Sequence, residues 1–155
     1  MMYEDPKTPR VSSAFRATPP AGARFLVAMI ARELASAATE NQSHGFYVAV
    51  GKRIADFVPL DDVEDLGTMT TRINALWATL GWGSAVVTVE DSAIVVRQDG
   101  LYPETEAEIA DPWKALLPPL MEGTYDSWFR MTGSSPALVT TAAWKEQTLE
   151  IRHGR

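Results

Sequence analysis

Leu66, Met69, Ile73, Leu76 and Leu80 recur at spacings of three and four and run directly into Gly81-Trp82-Gly83. That periodicity is one face of an α-helix, which Trp77 widens. Glycine just past the last stripe residue can take the left-handed conformation that satisfies the final carbonyls of a helix. A second glycine two residues on lets the backbone turn again. Trp82, held between them, is expected to plug a corner between helix and sheet. The residues beyond the corner alternate: Val86 to Glu90, then Ala93 to Arg97, on either side of Asp91-Ser92. A two-residue turn there pairs Val89 with Ile94 and Val87 with Val96 on one apolar, core-facing side. Val86, Thr88, Glu90, Ala93, Val95 and Arg97 fall on the other side.

Upstream, residues 1–22 read as a flexible N-terminal arm and 23–155 as one domain. Pro6, Pro9, Pro19, Pro20 and Gly22 oppose regular structure in the arm. Tyr3, Phe15, Lys7, Arg10 and Arg16 give it groups with which to dock. A first helix is expected over 23–39, on the stripe Leu26, Ile30, Leu34, Ala37. Ser43 is the expected N-cap of a second helix over 44–57. Asp61, Asp62, Glu64 and Asp65 fit the start of the third, where the helix dipole favours negative charge.

Downstream, acids at Asp99, Glu104, Glu106, Glu108 and Asp111 read as a solvated loop; nothing holds two of them across a sugar as glycoside hydrolysis needs. Asp111-Pro112 is the expected start of a fourth helix to about Met131. Pro118 and Pro119 within it predict a kink or two shorter helices. This helix is apolar on more than one face, which points to burial between subunits, with Trp113, Leu117, Leu120, Tyr125 and Trp128 as interface candidates. Strands over 137–144 and 147–152, turning at Lys145-Glu146, complete the chain. The expected fold is α+β: N-terminal helices, then a four-stranded antiparallel sheet of two hairpins with a kinked helix between them.

Chemistry is sparse. There is no cysteine, so thiolate metal sites, disulfides and thiol nucleophiles are excluded. The two histidines, His44 and His153, have no metal-ligand partner at helical spacing, and His153 is expected to fray with the terminus. No catalytic residue, metal or cofactor is assigned. A net charge of −6 argues against a nucleic-acid or anionic membrane partner. The N-terminal MMYEDPKTPR lacks the apolar core of a secretory signal, so a cytoplasmic location is expected, with the periplasm as alternative.

Two stretches carry a resemblance. Ile73-Asn74-Ala75-Leu76 through Leu80-Gly81-Trp82-Gly83, and Trp113 with Leu116, Pro119, Leu120, Glu122-Gly123, Tyr125 and Trp128, resemble the D subunit of bacterial cellulose synthase. The resemblance implies a non-enzymatic accessory protein: a cylindrical homo-octamer, built as a tetramer of dimers, with passages for nascent β-1,4-glucan. Its implied partners are other copies, the membrane synthase complex with its accessory proteins, and the glucan chain. Because the N-terminus of that family lies near the glucan passage, Tyr3, Lys7 and Arg10 are the implied glucan contacts, although the arm departs from the family pattern. The alternative is a small-molecule sensor domain of vinyl-reductase-like α+β architecture, which needs an enclosed apolar pocket between sheet and helices.

Overall fold

The computed structural model describes residues 21–101 and 107–155, without the side chains of 21 and 107–109. The arm, including Tyr3, Lys7 and Arg10, lies outside the described residues, as do Glu104 and Glu106.

Helix α1 spans Ala21–Ala37 and α2 Glu40–Ala55. The second begins four residues before the expected start. Its N-cap is Thr39, whose hydroxyl accepts from the Gln42 amide at 3.1 Å while the Gln42 side chain accepts from the Thr39 N–H at 2.8 Å. This reciprocal capping box, and not Ser43, sets the boundary.

Helix α3 spans Leu66–Leu80 as expected. Asp65 caps it, accepting from the Thr68 amide at 2.7 Å and from the Thr68 hydroxyl at 2.8 Å. Those bonds hold the Asp65 carboxyl below the usual range. Asp62 pairs with Arg72 at 2.7 Å.

Strands β1 (Ser84–Glu90) and β2 (Ala93–Asp99) form the hairpin in the expected register, Val87 opposite Val96 and Val89 opposite Ile94. Asp91 and Ser92 both take positive φ, 49° and 63°, which is what a tight hairpin turn between twisted strands requires. Burial along the core face is graded. Val96 is fully buried, Val87 and Ile94 half-buried, and Val89, beside the turn, is 63% exposed, so the core does not reach the hairpin tip. On the opposite, mixed face Ala93 and Val95 are buried within the protomer itself.

Helix α4 runs Ala107–Met131 as a single element. It starts upstream of Asp111, so Pro112, Pro118 and Pro119 all lie inside it, and it is not two shorter helices. Proline cannot donate to the carbonyl four residues back. The Lys114 carbonyl, left open by Pro118, accepts instead from the Trp144 indole N–H at 2.8 Å.

Strands β3 (Val139–Lys145) and β4 (Thr148–Gly154) turn at Glu146 and Gln147, one residue later than expected. The sheet is antiparallel throughout in the order β1-β2-β4-β3. The fold is therefore the expected α+β arrangement. Helix α4 packs on α1 and α2 as well as on β3 and β4. A helix in that middle position needs apolar groups on two faces within one protomer. No described helix is long and apolar enough to cross a membrane.

Candidate functional site

The corner after α3 is built from backbone constraints. Gly81 caps the helix at φ 71°, and Gly83 follows at φ 73°. A Cβ on Gly83 would collide with the Asp99 carbonyl, since Gly83 and Gly100 bring the two ends of the first hairpin together. Asn74 ties α3 across the corner to β1: its Oδ1 accepts from the Ala85 N–H at 2.7 Å and its Nδ2 donates to the Ala85 carbonyl at 2.9 Å. Trp82 is half-buried, stacked on Trp77 with ring centroids 5.7 Å apart, and meets Trp113 edge-on at 6.4 Å.

From that corner a chain of rings runs inward. Trp77 contacts Trp128 at 5.4 Å, Trp128 contacts Tyr125 at 5.3 Å, and Tyr125 contacts Phe129 at 6.1 Å. A polar relay threads the same rings. Trp77 Nε1 donates to the Tyr125 hydroxyl at 3.0 Å, which donates to Gln98 Oε1 at 2.8 Å; Gln98 Nε2 donates to the Trp82 carbonyl at 3.1 Å. Burial drives the Tyr125 pKa far up, so the phenol stays protonated and keeps donating. Trp128 Nε1 donates to the carbonyls of Ala55 and Val58, both at 3.1 Å.

Leu117, Leu120, Tyr125 and Trp128 are thus buried in the protomer's own core, and only Trp113 of the five interface candidates is half-exposed. Gly51 and Gly123 account for how closely α2 and α4 approach: a Cβ on either would strike backbone of the other helix. Glu122 ties α4 to two neighbours, α2 through His44 and β3 through Ala142. Its Oε2 lies 2.8 Å from His44 Nε2 and its Oε1 accepts from the Ala142 N–H at 2.9 Å.

His153 does not fray. It is fully buried on β4, opposite Ile94 and Thr140, and stacks on Phe129 at 4.6 Å. The one Thr140 hydroxyl proton goes to Asp126 Oδ1 at 2.9 Å. His153 Nδ1 therefore donates to Thr140 at 2.8 Å, and Nε2 accepts from the Ser134 hydroxyl at 2.9 Å. Desolvation, and then the Arg130 charge, lower the His153 pKa, which keeps the ring neutral. A serine on a histidine nitrogen suggests a hydrolase pair. Here Arg130 also bonds Ser134 Oγ and the Ser135 carbonyl and pairs with Asp126, so the serine and histidine belong to a wider hydrogen-bonded cluster. The cluster locks the end of α4 to β3 and β4. Among the described residues no group of three or more His, Asp or Glu side chains is placed to hold a metal.

The exposed apolar groups lie elsewhere. Helix α1 buries only small residues, Ala28 and Ala31, while Phe25, Leu26 and Ile30 are 57%, 60% and 47% exposed. Phe46 of α2 is also 47% exposed. Beside them an open hollow of about 220 Å³ lies between α1, α2, α4 and the Trp82 corner. The space between sheet and helices is filled by Trp77, Tyr125, Trp128, Phe129, Leu149 and Ile151, each fully buried. Among the described residues, the space that the sensor-domain alternative would need is thus occupied by side chains. The signal for the α1 surface is present in the sequence, since Phe25, Leu26 and Ile30 are among its large apolar side chains, but periodicity does not say which face of a helix turns inward.

No curated protein matches the chain. A family model described as the cellulose synthase D subunit matches residues 11–154.

Proposed function

The chain belongs to the cellulose synthase D-subunit family, and on that premise we propose that it is a non-catalytic component whose copies assemble into a cylindrical homo-octamer guiding β-1,4-glucan. An accessory role in cellulose synthesis follows from the family match itself. The observation that supports self-assembly is helix α1, which turns Ala28, Ala31 and Val27 toward the body and leaves Phe25, Leu26 and Ile30 about half exposed. Leaving three large apolar side chains about half in water forgoes on the order of 1 kcal/mol each, which a neighbouring copy recovers.

In this reading the assembled copies align synthase complexes so that their chains crystallise side by side. Tyr3, Lys7 and Arg10 reach the glucan, and the protein works on the cytoplasmic side. Mass photometry of the purified protein tests the central point. A particle near eight protomers is expected; a stable monomer at micromolar concentration would overturn the reading.

A further inference from the structure

The sheet has two edges, β1 and β3, and the protomer treats them differently. Helix α4 closes the β3 edge. Glu122 Oε1 accepts from the Ala142 N–H at 2.9 Å, the Thr140 hydroxyl donates to Asp126 at 2.9 Å, and the Trp144 indole donates to the Lys114 carbonyl at 2.8 Å. At β1 only the first rung is closed. The Asn74 side chain takes both the N–H and the C=O of Ala85, so the backbone groups of Ala85 point away from β2. Backbone direction alternates along a strand, so those of Val87 and Val89 point the same way. Among the described residues, no backbone group from outside the sheet bonds them. No charge or proline blunts the strand from Ser84 to Val89, and Val86 and Val89 are 61% and 63% exposed.

That short open edge is self-complementary. Two antiparallel copies of β1, related by a two-fold axis at Thr88, set Val87 of each opposite Val89 of the other, and every open N–H meets an open C=O. Other centres fail. An axis at Val87 sets Val89 against Ala85, whose groups Asn74 already holds. An axis at Val89 sets Val87 against Asp91, which has left the strand at φ 49°. Charge fits the Thr88 register too. Glu90 falls opposite Val86 of the second copy, whose neighbour on β2 is Arg97, and not opposite another carboxylate.

We propose that β1 is a second association surface, where two copies join edge to edge through Val87 and Val89 into one continuous sheet. This rests on the reading that copies associate, and adds what α1 does not supply: an isologous α1 contact closes at two copies, so growth beyond a pair needs another surface.

The chain has no cysteine, so an introduced thiol is unique in the full-length protein. At Thr88 two thiols would face each other across the axis with Cα atoms about 4.5 Å apart, inside the limit of about 7 Å for a disulfide. At the more exposed Val86 they would lie about 14 Å apart. On mild oxidation Thr88→Cys should link two chains at least ten-fold faster than Val86→Cys or Glu90→Cys. A chain carrying both Val86→Cys and Glu90→Cys should link as fast as Thr88→Cys, because the register sets those positions opposite each other. Equal rates for Thr88→Cys and Val86→Cys, or slow linking of the double variant, would overturn the pairing. So would the absence of a link at position 88, which would leave the edge to an extended segment of a different protein. If the particles are nonetheless larger than a monomer, assembly through α1 still stands; if they are monomers, both readings fall. A link at position 88 that survives in pairs after Phe25→Asp with Leu26→Asp supports β1 independently of α1.

Discussion

Trp77 and Tyr125, 48 residues apart in the chain, share a buried hydrogen bond of 3.0 Å that joins α3 to α4 beneath the glycine corner. The Tyr125 hydroxyl stands between an indole that only donates and the Gln98 oxygen that only accepts. Tyr125→Phe keeps the ring but orphans both neighbours. Each orphan costs about 1–3 kcal/mol, so a loss of roughly 2–4 kcal/mol is expected in urea unfolding. A change under about 0.5 kcal/mol would mean that water replaces the hydroxyl.

The two glycines of the corner should respond differently. At Gly81 a methyl group meets open space, and Gly81→Ala incurs only the left-handed backbone, about 1–2 kcal/mol. At Gly83 the same methyl strikes the Asp99 carbonyl in addition. Gly83→Ala should therefore cost about 3 kcal/mol or more, or abolish folding. Thermal unfolding of the pair checks the ranking.

Trp82→Ala should cost less than truncation of a fully buried tryptophan, because Trp82 is half-buried. About 2 kcal/mol is expected, against about 3–5 kcal/mol for Trp128→Ala at the centre of the core. Chemical unfolding of both variants makes the comparison.

His153 confers a pH dependence of definite sign. Its folded pKa is lowered, so the unfolded chain binds a proton first as pH falls. Stability should be level above the ordinary histidine pKa of about 6.5 and should fall as pH drops from there toward the lowered value. Urea midpoints measured from about pH 7.5 to about pH 5 should show this slope. His153→Gln should flatten it, whatever its effect on stability at the upper end of that range.

Phe25→Asp together with Leu26→Asp should break the assembly without unfolding the protomer. Both side chains are more than half exposed, so the stability change should stay within about 0.5 kcal/mol per site. Mass photometry should show smaller particles. Unchanged particles would move the interface away from α1.

Much of this architecture is legible in the sequence because it is local. Asp91-Ser92 and the alternating valines determine the register of the first hairpin, and Asp65 with Gly81 marks both ends of α3. Expectation and structure part where a non-local partner decides. Three prolines argue for a late, broken α4, yet the helix runs through them, and Trp144, far along the chain on β3, takes up the carbonyl that Pro118 leaves open. His153 looks terminal, although Leu149, Ile151 and His153 already alternate; pairing with Ile94 draws that alternation into the core. The two apolar faces of α4 point to other subunits only because a sequence does not show that a helix lies in the middle of its own protomer. The Thr39–Gln42 capping box is local and visible, but it competes with Ser43 and other polar neighbours for the same role.

The prolines of α4 also bear on when the molecule can form. A helix carrying three of them is a poor autonomous folder, and its missing support at Lys114 comes from Trp144 on a strand made later. A chain still emerging from the ribosome, with the second hairpin hidden in the exit tunnel, has no stable centre. Folding is thus expected to wait until β4 is clear of the tunnel, and a product cut short ahead of β3 should be cleared by proteases.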